Sequence, residues 1–328
     1  MKNILITGGA GFVGSNLALE IQEKYPSSSI TIFDKFNNKE RRTNKNYKYF
    51  GDFKNLTGFK GKVVSGDLQN ISELNSILSN EFDVIFHQGA ISDTTVLDQE
   101  EVIKTNLNSF YQILEYCKIN KSKLIYASSA GTYGNSISPN IVGKGEIPEN
   151  VYGYSKLQMD NIVRDYIIEN PDLLIVGLRY FNVYGPGELY KRTTSSMILQ
   201  LAKQAIDRKE VKLFKFGEQK RDFVYIKDVV QANLKAVNGK SGIYNVGSGV
   251  SREFNEIVSI LSKCLNMKID KKFIDNPYDF YQNNTCADIS GAKNDFNYSP
   301  EYTLEDGISD YTKIILNYKN SDWKCFSE

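Results

Sequence analysis

Histidine is almost missing from this chain of 328 residues, which carries one, His87. A histidine-based metal site or catalytic triad therefore lacks its material, and the chemistry must come from other groups. Cysteine is scarce too. Cys117, Cys264, Cys286 and Cys325 lie far apart and form no CxxC pair, so neither a metal site nor a disulfide framework is expected and a reducing cytosol is the default. No sign of charge dominates: 40 Lys and Arg face 39 Asp and Glu, for a formal +1. That balance suggests no surface for nucleic acid or membrane. No apolar run approaches membrane-spanning length. "MKNILITGGAG" reaches glycine too early for a signal peptide. These absences lead us to expect a cytoplasmic protein with a small-molecule partner, no nucleic acid, no membrane and no metal.

What is present is an ordinary globular composition, 41% apolar and 24% charged. Short apolar runs alternate with helical patterns: "NILIT", a helix from Phe12, "SITIF", "KVVSG", a helix from Ile71, "DVIFH", a long helix to about Asn120, then "KLIYAS". A parallel sheet covered on both faces reads this way. Beyond Asn182 the elements are more widely spaced and the loops more polar, which predicts a second lobe. The basic and aromatic stretch 35–60 is long enough to suggest a function. The tail "KNSDWKCFSE" has no periodicity and reads as peripheral.

"LITGGAGFVGSN" follows the first strand and opens the first helix. Gly9, Gly11 and Gly14 fit GxGxxG, and Gly8, Gly11 and Gly14 also fit GxxGxxG. Glycine allows the tight turn, and its missing side chain lets a pyrophosphate approach the helix N-terminus. Asp34 ends the second strand 20 residues after Gly14, where a carboxylate would accept from ribose hydroxyls. Asp67 in "SGDLQN" suits an adenine contact or a helix cap. The expected fold is α/β: a Rossmann doubly wound parallel sheet over 1–180 plus roughly 225–250, which binds dinucleotide. A smaller C-terminal α/β lobe, 181–224 and 251–328, would bind substrate.

"VYGYSK" sets Tyr152 four residues before Lys156, on one helix face. With 21 tyrosines that spacing is common by chance, so its context matters. "IYASSAGTYG" ends the preceding strand with Ser128 and Ser129, and strand C-termini of such a sheet face the ligand crevice. A phenolate base at neutral pH needs its pKa moved by roughly 3 units, about 4 kcal/mol, and a neighbouring ammonium acts in that direction.

Gly8–Gly14, Asp67, "FHQGA" (86–90), Ser129 and the Tyr152–Lys156 pair resemble the extended short-chain dehydrogenases/reductases, which act on nucleotide sugars. The resemblance runs to about residue 290 through "YASSAGTYG", "NVYGYSK", "LRYFNVYGP", "KLFKFG", "KRDFVYI", "GIYNVGSG" and "YQNNTCAD". "QGAISDTT" and the Lys191 loop point to the branch that epimerises C6″ of an ADP-linked heptose, for lipopolysaccharide core supply. By this resemblance Ser129 hydrogen-bonds the reacting oxygen, Tyr152 moves its proton, and Lys156 binds the nicotinamide ribose and lowers the tyrosine pKa. His87 becomes a structural residue at a strand end, and a homo-oligomer is implied. The implied cofactor contacts are Gly8, Gly11, Phe12, Val13, Gly14, Asp34, Lys35, Arg41, Asp67, Gln88, Gly89, Ala90, Ile91, Ser92, Asn106, Lys156, Val183 and Lys191. Implied substrate contacts are Asn182, Thr193, Gln200, Phe214, Lys215, Phe216, Gly217, Arg221 and Tyr281. Gln200 stands where the resemblance leads one to expect histidine. Arg221 would offer its guanidinium fork to a diphosphate; the plainer reading is a surface pair with Asp222.

"GPGELYKRTTSS" (185–196) sets Lys191 and Arg192 on a glycine-containing loop directly after an apolar strand. An epimerase acting at a side-chain carbon must serve an oxygen that ends in two different places. Lys191, the family's second catalytic residue by resemblance, would be the second proton carrier, on a loop able to close over substrate. The alternatives are another nucleotide-sugar 4-epimerase, a 4,6-dehydratase, or a nicotinamide-sensing regulator. A dehydratase would need an acid pair where Ala130 and Gly131 stand, and a regulator would be expected to lose Tyr152 or Lys156. Asp34 favours NAD, because a carboxylate repels a 2′-phosphate. Lys35, Arg41 and Arg42 could pair with that phosphate, and with the resemblance they favour NADP. Arg41→Ala should weaken NADP retention and leave NAD binding nearly unchanged. Equal loss of both, by dinucleotide titration, would remove Arg41 from the cofactor site.

Overall fold

Apolar runs too short for helices become the strands of one parallel sheet. The computed structural model describes residues 1–36, 51–276, 284–318 and 322–323. Its main sheet holds β1 (Asn3–Thr7), β2 (Ser29–Asp34), β3 (Lys62–Ser65), β4 (Val84–His87), β5 (Lys123–Ser129), β6 (Ile175–Tyr180) and, later in the chain, β10 (Gly242–Val246). Their order is β3-β2-β1-β4-β5-β6-β10, and every neighbouring pair is parallel. From β1 the chain builds outward first to one side and then to the other, so the switch point lies between β1 and β4.

Alternation along each strand divides the core into two faces. Ile4, Ile6, Val84, Phe86, Ile125, Val176 and Leu178 pack on one side, with α1 (Phe12–Lys24) and a later helix, Ile226–Ala236. Leu5, Ile85, Leu124, Tyr126 and Ile175 pack on the other, against α2 (Ile71–Leu78), α4 (Ser109–Asn120) and α5 (Val151–Glu169), while Val102 of α3 (Gln99–Ile103) packs with Ile91 and Val96. The Asn150 side chain caps α5 by accepting from Gly153 N–H at 2.8 Å, which fixes where Tyr152 and Lys156 begin their turn.

At Asn182 the chain leaves the main sheet. β7 (Asn182–Tyr184) pairs in parallel with β9 (Lys220–Tyr225), and β11 (Ser251–Glu253) joins β9 antiparallel. Between them lie α6 (Met197–Arg208) and β8 (Glu210–Phe214), which pairs with β12 (Asp270–Ile274). The helix α7 (Ile226–Ala236) and β10 return to the main sheet. α8 (Phe254–Cys264), α9 (Ser290–Phe296) and α10 (Leu304–Ile315) complete the fold. One carboxylate ties this region together. Asp222 accepts from Ser248 N–H at 2.6 Å, Ser248 Oγ at 2.7 Å, Gly249 N–H at 2.9 Å and Ala287 N–H at 2.9 Å. Among the described residues no helix is long and apolar enough to cross a membrane.

A buried ionic network lies under the sheet's C-terminal edge. Arg179 on β6 donates from Nε to Asp160 at 2.8 Å and from Nη1 to Glu146 at 2.6 Å, and its guanidinium stacks 4.9 Å from the Tyr133 ring centroid. Asp160 also accepts from Tyr126 Oη at 2.8 Å and Ser128 Oγ at 2.9 Å. Arg179 and Asp160 are both fully buried. Removing one partner of such a pair leaves an uncompensated interior charge. Arg179→Leu should therefore cost about 3–5 kcal/mol in denaturant unfolding; a loss below ~1 kcal/mol would mean that the network is dispensable.

Candidate active site

The C-terminal ends of β1, β2, β4, β5 and β6 open into one cavity of about 680 Å³, the size range of a small-molecule site. Its floor is the turn between β1 and α1. Gly8 has φ +65°, and a Cβ there would sit 2.6 Å from the backbone of Gly89; one on Gly14 would overlap the Gly8 carbonyl oxygen. The first turn of α1 carries no capping side chain and no acid, so its N–H groups and dipole favour an anion. Gly8, Gly11, Phe12, Val13 and Gly14 all line the cavity. This cradle, which side chains would fill, fits the pyrophosphate of a dinucleotide.

Asp34, Lys35 and Asp67 line one end. Asp34 is more committed than its sequence position suggests: Oδ2 accepts from Ala10 N–H and Oδ1 from Phe36 N–H, each at 2.9 Å. Burial raises its pKa against those bonds. Asp67 pairs with Lys35 at 2.5 Å. The capping alternative for Asp67 falls away, because Asn70 caps the helix that follows. Arg41 and Arg42 lie outside the described residues.

After β4, Gln88, Gly89, Ala90 and Ser92 line the wall. Ile91 and Asn106, expected as cofactor contacts, stand behind it and are fully buried. Asn106 Oδ1 accepts from Ile91 N–H at 2.8 Å, and its Nδ2 donates to Ile91 O and Ser155 Oγ, each at 3.0 Å. That amide straps the wall to α5 instead of facing the cavity. Tyr180 was not foreseen. It lines the cavity, donates from Oη to Gln88 Oε1 at 3.0 Å and accepts from Asn233 Nδ2 at 2.8 Å. Its place in "LRYFNVYGP" was the available signal.

Ser129, Tyr152 and Lys156 meet in the cavity, from the end of β5 and the first turns of α5. The expected depression of the tyrosine pKa does not appear. Burial raises it, with only the Ser129 hydroxyl acting the other way. The reason is geometric: Lys156 turns its ammonium onto the Ala127 carbonyl at 2.7 Å. Burial lowers the Lys156 pKa to about 8, and Asp160 one turn along opposes the fall.

The segment 185–196 also differs from the expected flexible loop. Leu189–Thr194 forms a 3₁₀ turn with Glu188, Leu189, Arg192 and Ser195 buried. Asn16 of α1 donates to Pro186 O at 2.8 Å, and Lys191 Nζ lies 5.7 Å from the Phe12 ring centroid. Lys191 lines the cavity with Val183, and burial lowers its pKa while Glu188 and Asp93 oppose the shift. At the far end stand Asn182, Gln200, Phe214 and Arg221. The Arg221–Asp222 surface pair does not form, because Asp222 is buried in its own clasp and Arg221 lines the cavity. Lys215, Phe216 and Gly217 fall outside the wall. Lys215 pairs with Asp275 at 2.6 Å, and the exposed Phe216 turns edge-on to Phe273. Tyr281 and the Thr193 side chain lie outside the described set. Among the described residues no group of His, Cys, Asp and Glu could hold a metal.

Comparison with known proteins agrees with this geometry. Residues 4–247 match the NAD dependent epimerase/dehydratase family. The chain is similar to Helicobacter pylori ADP-L-glycero-D-manno-heptose-6-epimerase, at 51% identity over 97% of each chain with a TM-score of 0.88. It is similar at 29% identity to UDP-glucuronic acid 4-epimerase from Bacillus cereus, over 95% of this chain and 99% of that one, TM-score 0.79. UDP-N-acetylglucosamine 4-epimerase from Methanobrevibacter ruminantium is 25% identical over 96% and 98%, TM-score 0.84.

His87, beneath this site, accounts for a pH dependence. Its Nδ1 lies 2.8 Å from Thr7 Oγ1, and burial, with the Lys156 charge, lowers its pKa from 6.5 to about 3. The folded state therefore holds it neutral while the unfolded chain protonates it. Its contribution is intact above pH 6.5 and is lost as pH falls towards about 3. Relative to His87→Leu, the wild type should lose an extra ~1.4 kcal/mol per pH unit in that window, read by denaturant unfolding. A constant difference would mean that the folded protein holds His87 charged.

Proposed function

The chain belongs to the NAD dependent epimerase/dehydratase family, and on that premise we propose that it interconverts ADP-D-glycero- and ADP-L-glycero-D-manno-heptose at C6″ with tightly bound NADP, for lipopolysaccharide core heptose supply. The observation that carries this reading is the pairing of two proton-bearing side chains, Tyr152 and Lys191, from separate elements on one cavity. The 51% identity to the Helicobacter pylori heptose epimerase supports the substrate. Ala130 and Gly131, directly after Ser129, supply no acid pair for elimination.

A dinucleotide held at the Gly8–Gly14 turn and by Lys156 would supply the hydride chemistry at the substrate carbon. The protein's own work is with the proton and the pose. Ser129 hydrogen-bonds the reacting oxygen, and Tyr152 takes or gives its proton when that oxygen lies on the α5 side. Lys156 binds the nicotinamide ribose and, once drawn off the Ala127 carbonyl, lowers the cost of a phenolate. The ketone at a side-chain carbon turns about its bond to the ring, so its oxygen comes within reach of a second carrier. Lys191, with a pKa already lowered by burial, serves there. Arg221, in a cavity wall with Asn182, Gln200 and Phe214, meets the diphosphate.

NADP over NAD is proposed on the resemblance and on Lys35, which would exchange its Asp67 partner for a 2′-phosphate beside an Asp34 whose two oxygens already accept from backbone amides. We assign 1–180 and roughly 225–250 to the dinucleotide and 181–224 and 251–328 to the sugar nucleotide. Cytoplasmic residence and homo-oligomeric assembly belong to the same proposal. Both epimers should be supplied separately and cofactor absorbance followed. Tyr152→Phe should retain NADP and lose about 10²- to 10⁴-fold in turnover. Lys191→Met should block oxidation of one epimer far more than the other, and Tyr152→Phe should show the reverse preference. Equal impairment of the same epimer by both variants would end the two-carrier reading.

A further inference from the structure

We propose that Glu188 is a positioning residue for Lys191: its buried carboxylate closes the segment that carries the lysine and stands as counter-charge to its ammonium. This rests on the reading of Lys191 as a proton carrier. Nothing in the sequence marks Glu188, which sits between Gly187 and Leu189 like any loop glutamate. The fold buries it completely.

The clasp spans the whole segment. Glu188 Oε1 accepts from Gly185 N–H at 3.2 Å and Ser196 Oγ at 2.8 Å, and Oε2 accepts from Ser196 N–H at 2.5 Å. The two ends of 185–196 thus meet on one side chain. Within the loop the Glu188 carbonyl accepts from Lys191 N–H at 2.9 Å, which sets the start of the lysine's turn. The Asn16 bond to Pro186 ties the same segment to the dinucleotide helix. A carboxylate used only to close a loop could be replaced by a neutral acceptor. Here it also stands three residues before a half-buried ammonium that lines the cavity.

Lys191 faces Glu188 from its own segment and Asp93 from the wall after β4. Glu188 faces Lys191 and, from α10 and the residues just beyond it, the phenols of Tyr311 and Tyr318. Burial pushes Lys191 towards its neutral form, and Glu188 is the first of the two groups that oppose it. Without the carboxylate the lysine would release its proton at lower pH. Its capacity to accept a proton would then extend further into the acid range, while its capacity to return one near neutrality would fall.

Three variants test this in the full-length protein with NADP, each epimer being supplied separately and its oxidation followed across pH. Glu188→Gln keeps size and removes charge. It should move the acid limb of the Lys191-dependent epimer to lower pH by about one unit or more, and leave the midpoint for the Tyr152-dependent epimer unmoved. Glu188→Asp keeps the charge on a shorter arm, and should lower the rate while holding the wild-type midpoint. Ser196→Ala loosens the clasp without touching the charge and should do the same. A uniform fall in rate with an unmoved midpoint in Glu188→Gln would reduce Glu188 to a structural role. Should Glu188→Gln not fold, by circular dichroism and thermal unfolding, Glu188→Ala with added formate decides: a lowered midpoint that formate restores supports the counter-charge, and a midpoint that neither change moves overturns it. Lys191→Met separates the two readings. If it spares both epimers, the carrier assignment itself falls; if it blocks one while Glu188→Gln shifts nothing, only the role of Glu188 falls.

Discussion

The close approach of two backbones, Gly8 against Gly89, is the constraint on which the site depends. Gly8 N–H donates to Phe33 O at 2.8 Å on β2, and Gln88 N–H donates to Thr7 O at 3.1 Å from β4. The ends of three neighbouring strands are thereby drawn to the switch point, and no side chain can stand between them. That bare junction leaves the first turn of α1 open to a phosphate and directs the walls after β2 and β4 along either side of it. The cavity then extends from β5 and β6 towards the segment after β7. Every proposed role, from the dinucleotide to the sugar, follows from where this junction aims the strand ends.

Buried carboxylates do the second half of the positioning, and each is used differently. Asp222 on β9 is held by four donors from two loops, at 248–249 and at 287. Asp160 holds Arg179, Tyr126 and Ser128 beneath the acid–base group. Asp34 ties the turn after β1 to the start of the segment after β2. Such groups are tolerated because their lone pairs are met by several donors, which offsets desolvation that a single ion pair does not. They also give the site its field: burial lowers the pKa of both lysines, and Asp160 opposes that fall at Lys156 as Glu188 does at Lys191.

The main sheet was legible because short apolar runs between helical patterns leave a buried strand as the economical reading, and the glycine turn because its spacing has one mechanical purpose. Tyr152 and Lys156 were legible from helical period and from the strand end before them. What could not be read depended on distant packing. Asn106 looked like a cofactor contact until the fold set it behind Ile91. Lys156 seemed bound to lower its neighbour's pKa until the Ala127 carbonyl intervened. One rejected alternative was already weak. Arg221 and Asp222 are adjacent in a strand, where alternation sends neighbours to opposite faces, so a side-chain pair between them was disfavoured by the sequence itself.

A proton carrier for a rotating ketone meets two demands that pull apart. It must reach an oxygen whose position changes during the reaction, yet a base displaced by an ångström loses most of its value. A mobile lid serves reach and forfeits precision. The segment 185–196 divides the demands: its backbone is pinned by Glu188 and Asn16, while the long lysine side chain supplies the reach. With the backbone held, the side-chain torsions are what would move the ammonium, which lies 5.7 Å from the Phe12 ring centroid. The cost of this solution is a half-buried cation, which by our proposal is met from the same residue that closes the loop. On the proposed reading Tyr152 makes the complementary choice, a short rigid phenol on a helix, because Ser129 beside it would fix the oxygen it serves.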